Sequence, residues 1–186
     1  MPSEVGVLLR ELGGGDREAA SRLLPIVYTE LRRLAGHYLR GEHSVQSIQP
    51  TELVHEAYLR LVGQDRINWQ GRRHFMGMAA ISMRRILVER ARRKLADKRG
   101  GGGEKVQLDH LAVFAPEKSG QMLALDEALD RLANLSPRQS RIVEFRFFAG
   151  LNFDEIAELE GLSLRTVKHD WSAARAWLHR EIARAS

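Results

Sequence analysis

Apolar residues recur every three or four positions along most of the chain, which places them on one face of a helix. The first such pattern covers residues 5–12 and ends at three consecutive glycines. A second pattern covers residues 20–38 and follows Asp16, which can cap a helix; Pro25 within it predicts a kink or a new helix start. No segment shows evidence of a strand, so the pattern predicts an all-α protein.

Two further helices are predicted before the middle of the chain. Residues 51–62 predict the third helix, for which Thr51 is a suitable first residue, and residues 74–95 predict the fourth. A polar stretch at residues 41–49 and a loop at residues 63–73 flank the third helix. The positions expected to be buried are Leu53, Val54, Ala57, Tyr58 and Leu61 in the third helix and Phe75, Ala79, Ser82, Ile86 and Leu87 in the fourth.

Helical periodicity is lost between residues 97 and 121. This stretch holds four consecutive glycines, mixed charge and Pro116, a composition typical of a flexible linker. A chain of 186 residues with 44% apolar residues can bury one or two small cores. We therefore expect a helical domain at residues 1–96, a linker at residues 97–121 and a second helical domain at residues 122–186.

Helix-start signals are strong in the last third of the chain. Ser136 can cap a helix, Pro137 suits the first helical position, and Gln139 predicts a capping box with Ser136. Asn152 and Glu155 repeat the capping-box arrangement at the start of the next helix.

The spacing of Ala157, Gly161 and Val167 predicts a helix-turn-helix at residues 136–183. A small residue permits close approach, glycine permits the tight turn, and valine packs the second helix onto the first. Ser163 is expected to cap the final helix, and Glu160, where an apolar residue is common, is expected to point to solvent. An ordinary helical hairpin within a bundle is the alternative interpretation.

The outer face of the final helix carries donors and acceptors suited to base edges and phosphates. The candidate DNA-binding residues on this face are Arg165, Thr166, Lys168, His169, Ser172 and Arg175.

The formal net charge of +5 is unevenly distributed. Residues 71–99 carry ten basic against two acidic side chains, and residues 163–186 carry five against two. Two basic segments in otherwise neutral or acidic surroundings favour a polyanionic partner over a pair of solvated helix faces.

The sequence contains little that favours catalysis. The absence of cysteine excludes disulfides, thiolate metal sites and cysteine nucleophiles. His55-Glu56 lacks a second histidine at the metalloprotease spacing, and the four-glycine run precedes Glu104-Lys105 without the Lys-Ser/Thr pair of a phosphate-binding loop. We therefore expect no enzyme activity, catalytic residue, metal or cofactor. Without a long apolar run or a signal-peptide pattern, we expect a cytoplasmic protein that does not insert into membranes.

Taken together, residues 16–182 resemble the extracytoplasmic-function (ECF) sigma factors of the bacterial sigma-70 superfamily. The likeness is carried by three segments: PTELVHEAYLRL, MRRILVERARRK and LSPRQSRIVEFRFFAGLNFDEIAELEGLSLRTVKHDWSAARAWL. They are similar, in that order, to the polymerase-docking and −10 helices of the sigma-2 domain and to the sigma-4 domain that reads the −35 element. His55 departs from the family pattern, in which many members have glutamine.

The resemblance implies an alternative sigma factor whose partners are bacterial core RNA polymerase and promoter DNA, with an anti-sigma factor as a further candidate. It assigns core polymerase binding to Glu52, His55, Glu56 and Leu59, a face otherwise interpretable as solvated charge. It assigns the −10 element and a flipped base to Arg66, Asn68, Trp69, Arg72, Arg73, Arg84, Arg85, Arg92 and Arg93. Trp69 fits a core position equally well, and Arg90 and Lys94 are expected to extend into solvent.

A stand-alone helix-turn-helix regulator explains the C-terminal third equally well. That alternative leaves the basic segment at residues 83–94 and the face around Glu56 without a role. Binding to core polymerase distinguishes the two hypotheses.

Overall fold

A computed structural model describes residues 3–39, 48–64, 67–100 and 119–185. Those ranges contain eight helices and no strand, which confirms the all-α prediction. Arg66 and residues 101–118 of the predicted linker lie outside the described residues.

Four helices form the N-terminal half. Ser3 caps the first through the amide of Gly6, and Asp16 caps the second through the amide of Glu18. The helices are α1 (Glu4–Gly13), α2 (Arg17–Tyr38), α3 (Pro50–Val62) and α4 (Arg72–Gly100).

Pro25 neither ends α2 nor starts a new helix. Leu23, Val27 and Leu31 are all buried on one face around it, and this packing holds the helix continuous through the proline. The fourth helix continues five residues beyond the predicted end at position 95.

The N-terminal core is built from the apolar stripes of these four helices, although Ser82 and Leu87, predicted to be buried, are only half-buried. Leu9, Leu53 and Phe75 are among its fully buried side chains. The Tyr58 hydroxyl donates a hydrogen bond to the Ala20 carbonyl and so links α3 to α2. Burial raises the pKa of Tyr58 to about 12, so the hydroxyl remains a donor at neutral pH.

The C-terminal half contains the other four helices. The capping box of Asn152 and Glu155 is present in full, whereas Ser136 accepts only the Gln139 amide at 3.4 Å. Ser163 caps the last helix through the Thr166 amide at 3.1 Å. These helices are α5 (Ser119–Leu135), α6 (Pro137–Phe147), α7 (Phe153–Glu160) and α8 (Leu164–Ala185).

Helices α7 and α8 form the predicted helix-turn-helix. Gly161 ends α7 with φ of +63°, a left-handed conformation that glycine adopts without a Cβ clash. Ile156 and Val167 are fully buried where the two helices meet α6.

The prediction for Glu160 was wrong. Its carboxylate lies 2.7 Å from the Arg141 guanidinium, and its side chain is only 12% exposed. The reason lies in the tertiary structure, because α6 packs against α7 and brings Arg141 to Glu160. The sequence pattern alone does not show this contact.

The two halves of the chain are in direct contact. Ile81 of α4 packs in the same apolar cluster as Ile142 and Phe145 of α6. The Tyr38 hydroxyl donates to the Phe148 carbonyl at 3.1 Å. The structure thus has an interface that the linker-based domain division did not anticipate.

Replacing Gly161 with alanine is expected to destabilise the fold by about 1–2 kcal/mol, because alanine is strained at positive φ. The matched control is Gly36→Ala within α2, where no atom lies near the added methyl group. That variant should gain about 0.5–1 kcal/mol. Urea-induced unfolding of the two variants measures both changes, and effects of the same sign would contradict this account of the turn.

Candidate nucleic-acid interface

The predicted DNA-binding residues of α8 share its outer face. Arg165, Lys168 and Arg175 are exposed and have no ion-pair partner within the described parts of the chain. His169 and Ser172 are exposed beside them. Thr166 is half-buried, and its hydroxyl lies 2.8 Å from that of Ser163 at the helix start. The face therefore presents three uncompensated cations at helical spacing.

A charged contact fixes α8 against α6. The Arg138 guanidinium donates to the Asp170 carboxylate at 2.6 Å, and Asp170 is only 3% exposed. Burial alone raises the pKa of Asp170, but hydrogen bonds and charge from Arg138, with hydrogen bonds from Gln139 and His169, outweigh it and hold the pKa below its ordinary value. Asp170 is thus ionised at neutral pH and anchors the helix that carries the exposed cations.

The arginines of α4 are in a different environment. Arg84, expected to contact the −10 element, is 2% exposed and contacts the carboxylates of Asp126 and Glu144, the latter at 3.1 Å. Arg85 lies 2.7 Å from Glu144, and Arg92 lies 2.9 Å from Asp126. Both acids belong to the C-terminal half, on α5 and α6.

The aromatic ring of Phe148 completes the surroundings of Arg84. The guanidinium carbon lies 4.4 Å from the centre of that ring, a cation–π arrangement. The Arg84 Nε atom is buried, and no group in the described part of the chain accepts a hydrogen bond from it.

The remaining described arginines of the predicted −10 set also face acids. Arg72 pairs with Glu30, Arg73 lies 3.3 Å from Glu155 of α7, and Arg93 lies 3.9 Å from Glu89. Within the described residues, each arginine predicted to contact the −10 element therefore has a carboxylate partner in this conformation.

The residues of the predicted base-binding loop do not all lie on one exposed surface. Asn68 is exposed, but Trp69 is 6% exposed and lies 5.3 Å from the Phe75 ring and 5.6 Å from the His74 ring. Of the two positions left open for Trp69, the structure has it in the N-terminal core, with its indole packed against protein. Arg66 lies outside the described residues.

The predicted polymerase-binding face lies on α3. Leu59 is 67% exposed, and His55 is exposed beside it. Glu52 and Glu56 share the Arg90 guanidinium at 2.7 and 2.8 Å, so Arg90 does not simply extend into solvent as expected. The face is thus an exposed leucine beside acids that are held in place by a neighbouring helix.

A groove of about 600 Å³ lies beside Leu59. The turn between α1 and α2 forms its other wall, with Leu12, the three glycines and Ala20. Leu59 therefore borders a concave surface that an apolar side chain of a partner could enter.

Sequence reasoning missed the two acids that contact α4. Asp126 and Glu144 lie directly beside apolar stripe positions, with Leu125 and Leu129 in α5 and Val143 and Phe145 in α6. A carboxylate at the edge of a buried stripe was the available signal, because a buried acid requires a cation nearby. Which cation it meets is a property of the tertiary structure.

No group of three or more metal-ligating side chains occurs among the described residues. No helix in the described ranges combines the length and apolar character that a bilayer-spanning segment requires. The described helices and their turn define an all-helical protein with a helix-turn-helix, whose last helix has a cationic outer face.

The family model described as ECF sigma factor matches residues 2–184, and the chain therefore belongs to the ECF sigma factor family. It is accordingly a sigma factor of transcription initiation. No match was found among curated proteins or among solved structures.

Asp170→Asn is expected to destabilise the chain by about 1–2 kcal/mol at neutral pH, since it removes a charge-assisted hydrogen bond to the half-exposed Arg138. The pKa of Asp170 is lowered by folding, so its stabilising contribution is present above the unfolded-state pKa and is lost as the pH falls through the folded-state pKa. Unfolding midpoints of wild type and variant should therefore converge below about pH 4.

The control is Asp130→Asn, an exposed aspartate of α5 without a partner in the described structure. A constant difference between Asp170→Asn and wild type down to about pH 2 would contradict the ionic anchor.

Proposed function

We propose that this protein is an alternative sigma factor that binds core RNA polymerase and directs promoter-specific initiation by recognising −35 and −10 elements and helping to melt DNA. The observation that carries the proposal is the presence of two basic surfaces in one chain, the exposed outer face of α8 and the arginines of α4, because a helix-turn-helix alone accounts only for the first. A second, more strongly basic helix in the same chain supports a second DNA contact.

Recognition of the −35 element is assigned to α8. Arg165, Lys168 and Arg175 extend over about 15 Å of the helix, which suits insertion into a major groove. Arginine and lysine can bond guanine edges there, or hold phosphates on either side of the groove. The Arg138–Asp170 contact supports this role because it fixes the orientation of the helix.

Binding to core polymerase is assigned to the α3 face. Leu59 supplies an exposed apolar anchor, and Glu52 and Glu56 supply negative charge. A basic, partly apolar helical surface is the complementary partner.

Recognition of the −10 element is assigned to α4 and the loop before it. Arg84, Arg85 and Arg92 would hold phosphates, and Asn68 is available for base edges. Trp69 takes no part in this proposal, because it is buried in the N-terminal core. Capture of unstacked bases requires cations and hydrogen-bonding side chains, and no catalytic group.

A stand-alone helix-turn-helix regulator remains the second hypothesis. It accounts for α6, α7 and α8 but gives no role to Leu59 on α3 or to the arginines of α4. Co-sedimentation of the purified chain with bacterial core polymerase, followed by transcription from promoter DNA, distinguishes the two. A folded chain that forms no complex with core polymerase would refute the sigma-factor proposal.

Arg165→Ala and Lys168→Ala are each expected to weaken promoter binding by about 1–3 kcal/mol if the side chain contacts a base edge. The matched control is Arg10→Ala, which removes an exposed cation from α1 in the other half. Footprints of the polymerase complex should lose protection at the −35 element only in the two α8 variants. Unchanged protection there in both variants would rule out the assignment of α8.

Leu59→Asp is expected to reduce affinity for core polymerase about tenfold or more, because it removes an apolar anchor and adds charge at the interface. The matched control is Leu135→Asp, since Leu135 is equally exposed at 69% but lies at the end of α5. Both variants should unfold at nearly the wild-type urea concentration. Equal core affinity of the two variants would remove α3 from the polymerase interface.

A further inference from the structure

We infer that the free chain closes on itself through an ionic clasp, made by Arg84, Arg85 and Arg92 of α4 with Asp126 of α5 and Glu144 of α6. In this closed form the two carboxylates occupy the positions at which α4 would hold the phosphates of a −10 strand. The inference rests on the proposed function for the role of α4, and it adds how that site is regulated.

The two acids are placed between the arginines as a phosphate would be. Asp126 contacts both Arg84 and Arg92, and Glu144 contacts both Arg84 and Arg85. Carboxylates and phosphates both bind guanidinium groups through charge-assisted hydrogen bonds. Nucleic acid and the C-terminal half therefore compete for the same donors.

The clasp also removes its central arginine from solvent. Arg84 is 2% exposed, so no phosphate can reach it while α5 and α6 are in place. Arg73 at the start of α4 also lies 3.3 Å from an acid of the C-terminal half, Glu155 of α7, but its side chain stays 66% exposed. By contrast, Arg165 and Lys168 on α8 have no acid partner in the described parts of the chain, whereas Arg85 on α4 is paired although 53% exposed. The closed form therefore occupies the donors of only one of the two basic surfaces.

The physical chemistry of the clasp makes it reversible. Burying ions costs desolvation energy that their mutual attraction offsets only when every polar group is satisfied. Among the described residues Arg84 does not meet that condition, because none of them accepts a hydrogen bond from its buried Nε. A polyanion that releases counterions, or a partner that separates the halves, can therefore displace the two acids.

The apolar part of the interface between the two halves offers a position for an engineered disulfide that would hold the chain closed. A Cβ atom built on Gly77 of α4 lies 3.5 Å from the Cβ of Ala149, which follows α6. This separation is within the range of disulfide-bonded cysteines, and the chain contains no cysteine of its own. The double variant Gly77→Cys/Ala149→Cys should thus form one intramolecular disulfide that holds the chain closed.

The first measurement is formation of that disulfide in the full-length free chain, followed by mass and by mobility on a non-reducing gel. The monomer should oxidise readily, and a reducing agent should reverse the change. Persistence of two free thiols under oxidising conditions, in a chain with the helical content of wild type, would overturn the closed form.

The second measurement is binding of a fluorescent single-stranded DNA of random sequence, without polymerase. The Arg165→Ala/Lys168→Ala background removes the contribution of α8. The oxidised chain should bind about tenfold or more weakly than the reduced chain, because only the open fraction is competent. Equal affinity of the oxidised and reduced chains would overturn the masking of α4.

A second variant tests the same clasp in the opposite direction. Asp126→Asn/Glu144→Gln removes both carboxylates and should raise affinity for the same oligonucleotide about tenfold. The matched control is Glu127→Gln, an exposed acid next to Asp126 without a partner in the described structure, and it should have no effect. An equal gain in both variants would mean that general charge, and not the clasp, sets the affinity.

These outcomes separate the inference from the proposed function. A chain that binds single-stranded DNA more tightly when reduced than when oxidised, but binds no core polymerase in either state, would contradict the sigma-factor proposal and leave the clasp supported. A reduced chain that transcribes with core polymerase, but whose oxidised form transcribes equally well, would contradict the clasp alone.

Discussion

The arrangement of this molecule depends on one buried cation. Arg84 lies in the middle of α4, and its guanidinium reaches α5 through Asp126 and α6 through Glu144. These contacts join positions 42 and 60 residues apart in the chain. The apolar contacts of Ile81 and the hydrogen bond from Tyr38 to Phe148 extend the same interface. Because a buried charge cannot be left unpaired, the position of α4 and the positions of α5 and α6 constrain each other.

Because of that constraint, the two basic surfaces of the protein lie in different environments. On α4 the arginines are compensated by acids of the C-terminal half, whereas on α8 the cations face solvent. The orientation of α8 is fixed by a different contact, between the buried Asp170 and Arg138 of α6. That contact does not involve the N-terminal half. The Arg138–Asp170 contact therefore orients α8 without the N-terminal half, although Ile81 of α4 packs in the same apolar cluster as Val167 of α8.

The sequence predicted the features that depend on local chemistry. Apolar spacing identified the helices, and Asn152, Glu155 and Ser163 marked their starts because capping involves neighbours within three residues. What it did not predict depends on which elements meet. Periodicity shows which side of a helix is buried but not which partner covers it, so Glu160 was expected in solvent and the pairing of Arg84 with Glu144 was not anticipated. Trp69 illustrates the same limit, since an aromatic residue in a basic loop fits a core or a base pocket until its neighbours are known.

The central claim is that one chain holds a promoter at two points, through α8 and through α4. The most direct measurement is to map the transcription starts that core polymerase produces with this protein on fragmented genomic DNA. If α8 and α4 both hold the promoter, the starts will require the protein and will share two upstream motifs at a fixed spacing, near −35 and −10. Starts that share only one motif, or transcription that is the same without the protein, would contradict it.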